Sequence, residues 1–124
     1  MRINRVLFVA LAALGLTSQL FAHVAHANET AADNYKTYCS QCHGSNGDGK
    51  GVNARDLSVQ PRDHTDAKAM SARSDEHLIK VIREGGRAID KSILMPEWDE
   101  TLSAQEIRDL VLYLRELCKC KYGK

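Results

Sequence analysis

Large aromatic side chains are scarce in this chain of 124 residues, which has one tryptophan, four tyrosines and two phenylalanines. Both phenylalanines, Phe8 and Phe21, fall in the first 27 residues, so the rest of the chain has none. A chain this short has little apolar material for a core of its own. Small domains of this kind depend on an additional stabilising element, such as an apolar prosthetic group. We expect this chain to be largely unfolded without one.

The chain also lacks an excess of either charge, with 17 basic and 16 acidic residues. Proteins that bind nucleic acid usually carry a basic excess concentrated on one face. The balance therefore argues against a nucleic-acid partner. Lys119, Lys121 and Lys124 form a basic cluster near the C-terminus, which we interpret as a solvated tail because isolated surface charges contribute little.

The first 27 residues have the pattern of a secretory signal peptide. Arg2 and Arg5 precede an apolar run over residues 6–16, and Ala-His-Ala at 25–27 has the small-x-small pattern of a cleavage site. The apolar run falls short of the roughly 20 residues that a membrane span needs, although an uncleaved anchor remains the alternative. We expect export and cleavage after residue 27, which leaves residues 28–124 as one domain without a membrane span.

Two cysteines and a histidine form the most informative motif, Cys39-Ser40-Gln41-Cys42-His43. A Cys-x-x-Cys-His run is the attachment signature of a c-type haem. Two thiols at this spacing on a helical turn can add to the two vinyl groups of one porphyrin, and a neutral imidazole is a good iron ligand. The sequence therefore predicts one covalent haem c, with Cys39 and Cys42 as thioether residues and His43 as the proximal iron ligand.

The same two cysteines are also compatible with a redox dithiol or half of a zinc site. A dithiol centre expects a βαβ context, and a zinc site expects a second Cys/His pair downstream. Residues 44–60 show no buried strand pattern, and Cys118-Lys119-Cys120 has the wrong spacing and no adjacent histidine. Covalent haem is the favoured interpretation. Haem c is attached outside the cytoplasmic membrane in bacteria, so the export signal agrees with it and predicts a periplasmic protein.

Capping residues and apolar spacing predict three helices, over residues 30–38, 74–84 and 103–118. Threonine or serine, the preferred N-cap types, stands at the first position of each. The third helix is the clearest, because Ser103 and Glu106 form a capping box. Four apolar residues of this helix repeat at the spacing of one buried face: Ile107, Leu110, Val111 and Leu114.

Three connecting segments separate these helices. Residues 44–51 form a polar, glycine-rich loop, residues 52–71 have weak periodicity and predict an irregular segment, and residues 87–100 form a loop with Met95 and Trp98. A phosphate-binding loop would need a strand before the glycines, and none is predicted.

Taken together, these features resemble the class I mono-haem cytochrome c family over almost the whole of residues 28–124. The matching residues are Tyr38 before the cysteine motif, the glycines of 47–51, Pro61-Arg62-Asp63, Gly85-Gly86, and Met95-Pro96-x-Trp98 before the last helix. The resemblance implies an all-α class I cytochrome c fold, with three to four helices wrapped around one haem. It also implies that the first and last helices cross near Tyr35 and Tyr113.

The resemblance further implies that Met95 is the distal iron ligand. A thioether opposite a histidine raises the reduction potential, which suits an electron carrier. Met70, His64, His77 and an open site are the alternatives. Met70 is close to His43 in sequence and lies in the irregular segment, and the two histidines are interpreted as ordinary surface residues.

Other haem contacts follow from the same resemblance. It implies that the Pro61 carbonyl accepts the ring N–H of His43, since metal-bound histidines are usually oriented in this way. Trp98 lies either against the haem edge, with its indole N–H towards a propionate, or in the core. Arg62 and Arg73 are candidate partners of the propionates.

Cys118 and Cys120 depart from the family pattern. Two spare thiols seldom stay free in an oxidising compartment. Residues i and i+2 point apart on a helix, so a bridge within the chain requires the helix to end by Cys118. The alternatives are a disulfide-linked dimer through Cys118 or Cys120 and, third, a copper or other metal site.

These observations predict a periplasmic electron-transfer protein that transforms no substrate by itself. Its partners would be a redox protein that donates the electron and another that accepts it. The rival functions are a peroxidase-like or oxidase-like haem enzyme subunit and a gas-binding sensor, both of which need an open distal site.

Overall fold

The computed structural model describes residues 30–124, and the predicted signal peptide, residues 1–27, lies outside this part. Residues 30–124 contain helices and turns and no strand, so the all-α prediction is confirmed. No helix in this part of the chain is long and apolar enough to cross a membrane.

The N-terminal helical segment carries the cysteine motif. It consists of α1 (Ala31–Asn34), a π-helical turn (Tyr35–Cys39) and α2 (Ser40–His43). Thr30 caps it, because its hydroxyl oxygen accepts the Asp33 N–H at 3.2 Å and the Asp33 carboxylate bonds back to Thr30. The segment extends five residues beyond the predicted end at Tyr38, so both motif cysteines and His43 lie on its last turns.

The segment predicted as irregular contains two short helical elements. These are a 3₁₀ turn (Ala54–Asp56) and α3 (Ala67–Ser71). The Asp66 carboxylate caps α3 by accepting the Ala69 N–H at 2.9 Å. This short helix buries Met70 completely, and the interpretation of Met70 as part of a weakly structured segment is therefore wrong.

The next helix, α4 (Asp75–Glu84), forms as predicted and is followed by a 3₁₀ turn (Gly86–Ile89). The Ser74 hydroxyl caps α4 by accepting the His77 N–H at 3.2 Å. Leu78 and Ile82 are its buried residues. The helix stops at Gly85, whose φ of 74° lies in the left-handed region that favours glycine.

The last helix, α5 (Ala104–Cys118), packs against both α1 and α4. Its capping box is present, with Ser103 N donating to the Glu106 carboxylate at 2.8 Å. The four residues of the predicted apolar stripe are all buried. The Tyr35 and Tyr113 rings lie 5.3 Å apart, so the predicted crossing of the first and last helices is confirmed.

The C-terminal cysteines pair within the chain. Cys118 and Cys120 form a disulfide, with their Cα atoms 5.2 Å apart. Lys119 between them has a left-handed backbone, with φ 51°, and ends α5 after Cys118. The condition for an internal bridge is therefore met, and the alternative of a disulfide-linked dimer is not supported, because each sulfur atom has its partner within the chain.

Arg115 connects the C-terminal end of α5 to α3 and α4 through hydrogen bonds. Its guanidinium donates to the Met70 carbonyl at 2.8 Å, to the Arg73 carbonyl at 2.6 Å and to the Asp75 carboxylate at 2.8 Å. Buried carbonyl oxygens that accept such bonds avoid the cost of lost hydration. The guanidinium thus joins α5 to α3 and to the start of α4.

We expect the protein to migrate as a monomer in denaturing electrophoresis without reductant, because Cys118 and Cys120 are bonded to each other. The Cys118→Ser variant leaves Cys120 unpaired and should gain a dimer band that reductant removes. The Cys118→Ser/Cys120→Ser double variant is the matched control and should give a monomer under both conditions. A reductant-sensitive dimer of the unaltered protein would contradict the internal pairing.

Candidate functional site

A cavity of about 670 Å³ lies between the N-terminal helical segment, α4 and α5. Its size falls in the range of about 300–1,000 Å³ typical of small-molecule and cofactor sites. The Cys39 and Cys42 thiols are free, and both residues line the cavity together with His43. The apolar side chains that line it include Met70, Leu78, Val81, Ile82, Leu110 and Leu114.

This donor set fits the predicted haem. Two thiols and one imidazole from a single turn face a space with mainly apolar walls, which suits a large apolar ring held at one edge by covalent bonds. Burial raises the pKa of Cys39 to about 12, and the neighbouring Cys42 thiol adds to this effect. Reactive dithiols need a lowered thiol pKa. The surroundings of Cys39 therefore argue against the redox dithiol.

The glycine-rich loop closes over the end of α2 and bonds its carbonyl oxygens. Gly49 N donates to the His43 carbonyl at 2.8 Å, and Gly51 N donates to the Cys42 carbonyl at 3.0 Å. Asn53 N donates to the Gln41 carbonyl at 2.9 Å. The final carbonyls of a helix have no partner within it, so this loop supplies the partners that fix the turn bearing the motif.

Close approach explains the glycine at position 51. A Cβ atom there would lie 2.2 Å from the Gln41 carbonyl oxygen, far inside the van der Waals contact distance. Any other residue would push the loop away from α2. The sequence predicts the loop from its glycines, but its docking onto Gln41 and Cys42 is a tertiary contact with no local signal.

The imidazole of His43 is oriented by one hydrogen bond. Its Nδ1 donates to the Arg62 carbonyl at 2.9 Å, which leaves Nε2 free as the ligand atom. The prediction of the Pro61 carbonyl as acceptor is wrong by one residue, because the Pro61 carbonyl oxygen lies against Gly49 instead. Pro61 itself lines the cavity. Burial lowers the pKa of His43, which favours the neutral form that binds a metal ion.

His64 lies directly behind His43, contrary to its interpretation as a surface residue. The His64 side chain is buried, and its ring stacks on the His43 ring with centroids 4.2 Å apart and planes 16° apart. Its Nδ1 is 3.0 Å from the Tyr35 hydroxyl. Burial, followed by the nearby His43, lowers the pKa of His64 to about 3, so His64 is neutral near pH 7.

Met95 lines the same cavity as His43. Gly86 N donates to the Met95 carbonyl at 3.0 Å, and Met95 N donates to the Ser92 carbonyl at 3.3 Å. A Cβ atom at position 86 would lie 2.3 Å from the Ser92 carbonyl oxygen. The glycine that follows α4 therefore lets the Met95 loop pack closely and hold the Met95 backbone beside the cavity.

The alternative ligands Met70 and His77 also line the cavity. Met70 is 0% exposed and belongs to the hydrophobic core, with its carbonyl bonded to Arg115. His77 is half-buried on α4. Met95 is half-buried in a loop. Its side chain is therefore less tightly packed in the core than that of Met70.

Trp98 was predicted to lie either at the haem edge or in the core, and the structure shows it packed against the core. Its ring centroid lies 5.1 Å from that of Tyr38, its backbone N–H donates to the Arg83 carbonyl at 3.1 Å, and it is not among the residues that line the cavity. The prediction that it binds the cofactor is therefore not supported by its position. Arg62 and Arg73 both line the cavity, as candidate propionate partners must.

Comparisons with known proteins agree with this geometry. The family model described as cytochrome C oxidase, cbb3-type, subunit III matches residues 26–114. The chain is similar to the structure of the KustC0563 c-type cytochrome, with 26% identity, a TM-score of 0.57, and coverage of 72% of this chain and 98% of that one. No curated protein matches.

A second similar structure belongs to a larger assembly, the Kuenenia stuttgartiensis reducing HAO-like protein complex Kustc0457/Kustc0458. The identity is 25% and the TM-score is 0.56, over 72% of this chain and 43% of that one. The fold of residues 30–124 thus occurs both as a small separate protein and within a longer chain.

We expect the Gly51→Ala substitution to lower the free energy of unfolding by about 1–3 kcal/mol, because the added methyl group overpacks the contact with Gln41. Val52→Ala is the matched control, since Val52 is 79% exposed and surface changes usually stay within about 0.5 kcal/mol. Denaturant unfolding of the cofactor-loaded protein measures both. Equal stabilities of the two variants would contradict the close approach of loop and helix.

Proposed function

Since the chain belongs to the cytochrome c oxidase, cbb3-type, subunit III family, we propose that it is a periplasmic protein that carries single electrons on one haem with histidine and methionine ligands. Family membership confirms the predicted relation to mono-haem cytochromes c. It also confirms the predicted cofactor, haem c. The observation that carries the proposal is the single cavity lined by both motif cysteines, His43 and Met95.

Cys39, Cys42 and His43 would hold the haem. The two cysteines provide the thioether bonds, and His43 provides Nε2 while its Nδ1 stays bonded to the Arg62 carbonyl. When bound, haem c supplies a one-electron couple of its iron. The chain contributes orientation and an apolar wall that excludes water.

Met95 is the proposed second axial ligand. Its position on the cavity and the two backbone hydrogen bonds that hold it support this role. A methionine opposite a histidine raises the reduction potential. If His43 and Met95 both held the iron, the chain itself would supply the two remaining ligands and leave no place for a substrate or a gas, which favours a carrier over an oxygen-activating enzyme or a sensor.

Exposed apolar residues at the cavity support transient contact with redox partners. Leu94 is 60% exposed and Val59 is 46% exposed, and both line the cavity. Apolar side chains clustered at one place on a soluble surface commonly mark a binding site. The partners would be one electron donor and one acceptor that approach this surface in turn.

A second candidate function is that of an electron-delivering subunit within an enzyme complex. It is favoured by the similar structure that forms part of the reducing HAO-like complex. Size-exclusion chromatography of a native extract separates the two functions, because a carrier elutes alone and a subunit elutes with its complex.

We expect Met95→Leu to abolish the weak near-infrared band from sulfur to ferric iron and to lower the midpoint potential, because the thioether is lost. Met70→Leu is the matched control. It exchanges the same residue types at similar volume and should retain the band. Absorption spectra and redox titration of the purified holoprotein measure both effects.

Two results would overturn this ligand assignment. A band that survives in Met95→Leu and disappears in Met70→Leu would make Met70 the ligand. A high-spin ferric spectrum of the unaltered protein, with rapid binding of carbon monoxide, would indicate an open distal site and support the enzyme or the sensor.

Export is tested by the N-terminus of the mature protein. We expect the haem-loaded chain in the periplasmic fraction to begin at Asn28, because cleavage should follow Ala27. Intact-mass measurement determines the first residue. A membrane-bound protein with residues 1–27 still present would favour the uncleaved anchor and contradict the proposed release.

A further inference from the structure

We propose that His64 is a positioning residue for the iron ligand His43, and that Tyr35 acts through it. In this role His64 fixes the plane of the His43 imidazole and thereby sets the reduction potential. The inference rests on the proposed function, since it takes His43 as an axial ligand. It assigns a task to a buried histidine that neither binds the cofactor covalently nor belongs to the cysteine motif.

One hydrogen bond leaves the His43 ring free to move. The bond from His43 Nδ1 to the Arg62 carbonyl, 2.9 Å long, fixes the direction of one ring atom. The ring turns about its Cβ–Cγ bond, and a single N–H···O bond tolerates a range of angles, so some rotation of the ring plane remains. A second contact on the face of the ring is needed to fix its plane.

His64 provides that contact. Its ring lies parallel to the His43 ring within 16°, with the centroids 4.2 Å apart. At this separation the two faces are in van der Waals contact, so rotation of His43 towards His64 is blocked. The hydrogen bond and the stacked ring act in different directions and together define the orientation of the ligand.

His64 is itself held from two sides. Its backbone N–H donates to the Gly47 carbonyl at 2.6 Å, and its Nδ1 is 3.0 Å from the Tyr35 hydroxyl. Tyr35 is 2% exposed and packs against Tyr113 of α5, with ring centroids 5.3 Å apart. The stack is therefore anchored to the crossing of the first and last helices.

A flat aromatic ring differs chemically from an aliphatic side chain of similar size. The face of an aromatic ring carries negative potential and attracts positive charge. The His43 imidazole is more positive when it binds ferric iron than when it binds ferrous iron. The His64 face therefore stabilises the ferric form, and its loss should raise the midpoint potential.

Two substitutions of His64 separate the ring face from simple filling of space. We expect His64→Leu to raise the midpoint potential and to change the g values of the ferric electron paramagnetic resonance spectrum, which report ligand-plane orientation. His64→Phe keeps a flat ring and should leave both closer to those of the unaltered protein. Spectroelectrochemical titration and low-temperature spectra of the holoprotein provide these readouts.

Substitutions of Tyr35 test the indirect part of the inference. Tyr35→Phe removes only the hydroxyl and should shift both readouts in the same direction as His64→Leu. In the His64→Phe background the same change should have no effect, because Tyr35 acts through His64 Nδ1. Tyr113→Phe is the matched control, since it removes a hydroxyl from the other ring that packs against Tyr35 and should shift neither readout.

Unchanged potential and g values in both His64→Leu and Tyr35→Phe would overturn the inference, even if both variants unfold more easily, because a purely structural role affects stability alone. Additive shifts in the double variant would show that Tyr35 does not act through His64. If His64→Leu does not fold, Tyr35→Phe and His64→Phe still decide the question. The Met95→Leu spectra test the proposed function separately. Failure of the proposed function can therefore be distinguished from failure of the positioning role of His64.

Discussion

The hydrogen bond from His43 to the Arg62 carbonyl is the contact on which the arrangement of the cavity depends. It joins the motif turn to the segment after Pro61, and the same segment places His64 against the imidazole. The loop over residues 44–51 lies between these two parts of the chain and bonds both, through Gly49 to His43 and through Gly47 to His64. One wall of the cavity is thus a small network of backbone bonds around a single imidazole.

The sequence predicts well those features whose cause is local. The capping residues Thr30 and Ser103 define helix starts, and the spacing of Cys39 and Cys42 identifies the attachment turn, because each signal lies within a few residues. The burial of His64 has no such local signal, since nothing beside it in sequence shows that Tyr35, 29 positions earlier, faces it. Trp98 and the choice between the Pro61 and Arg62 carbonyls depend in the same way on how distant segments align.

The size of the cavity explains why the core of the described chain contains few large side chains. The apolar residues of α4 and α5 face the space that the haem would fill, and the buried rings of the described chain are few. The scarcity of aromatic residues in the sequence and the large cavity in the fold both indicate that the chain does not fill its own core. A small helical chain can close a core of this kind when part of the apolar volume comes from a bound group.

The bonds between the glycine-rich loop and α2 also have a consequence for the order of folding. Together with the bond from Asn53, which follows the loop, to Gln41, they join residues at most twelve positions apart. Contacts between residues near in sequence form faster than distant ones, because less chain entropy is lost in closing them. The shape of the turn with both cysteines therefore depends on bonds to nearby residues, and closing these bonds costs less chain entropy than bringing α5 into place.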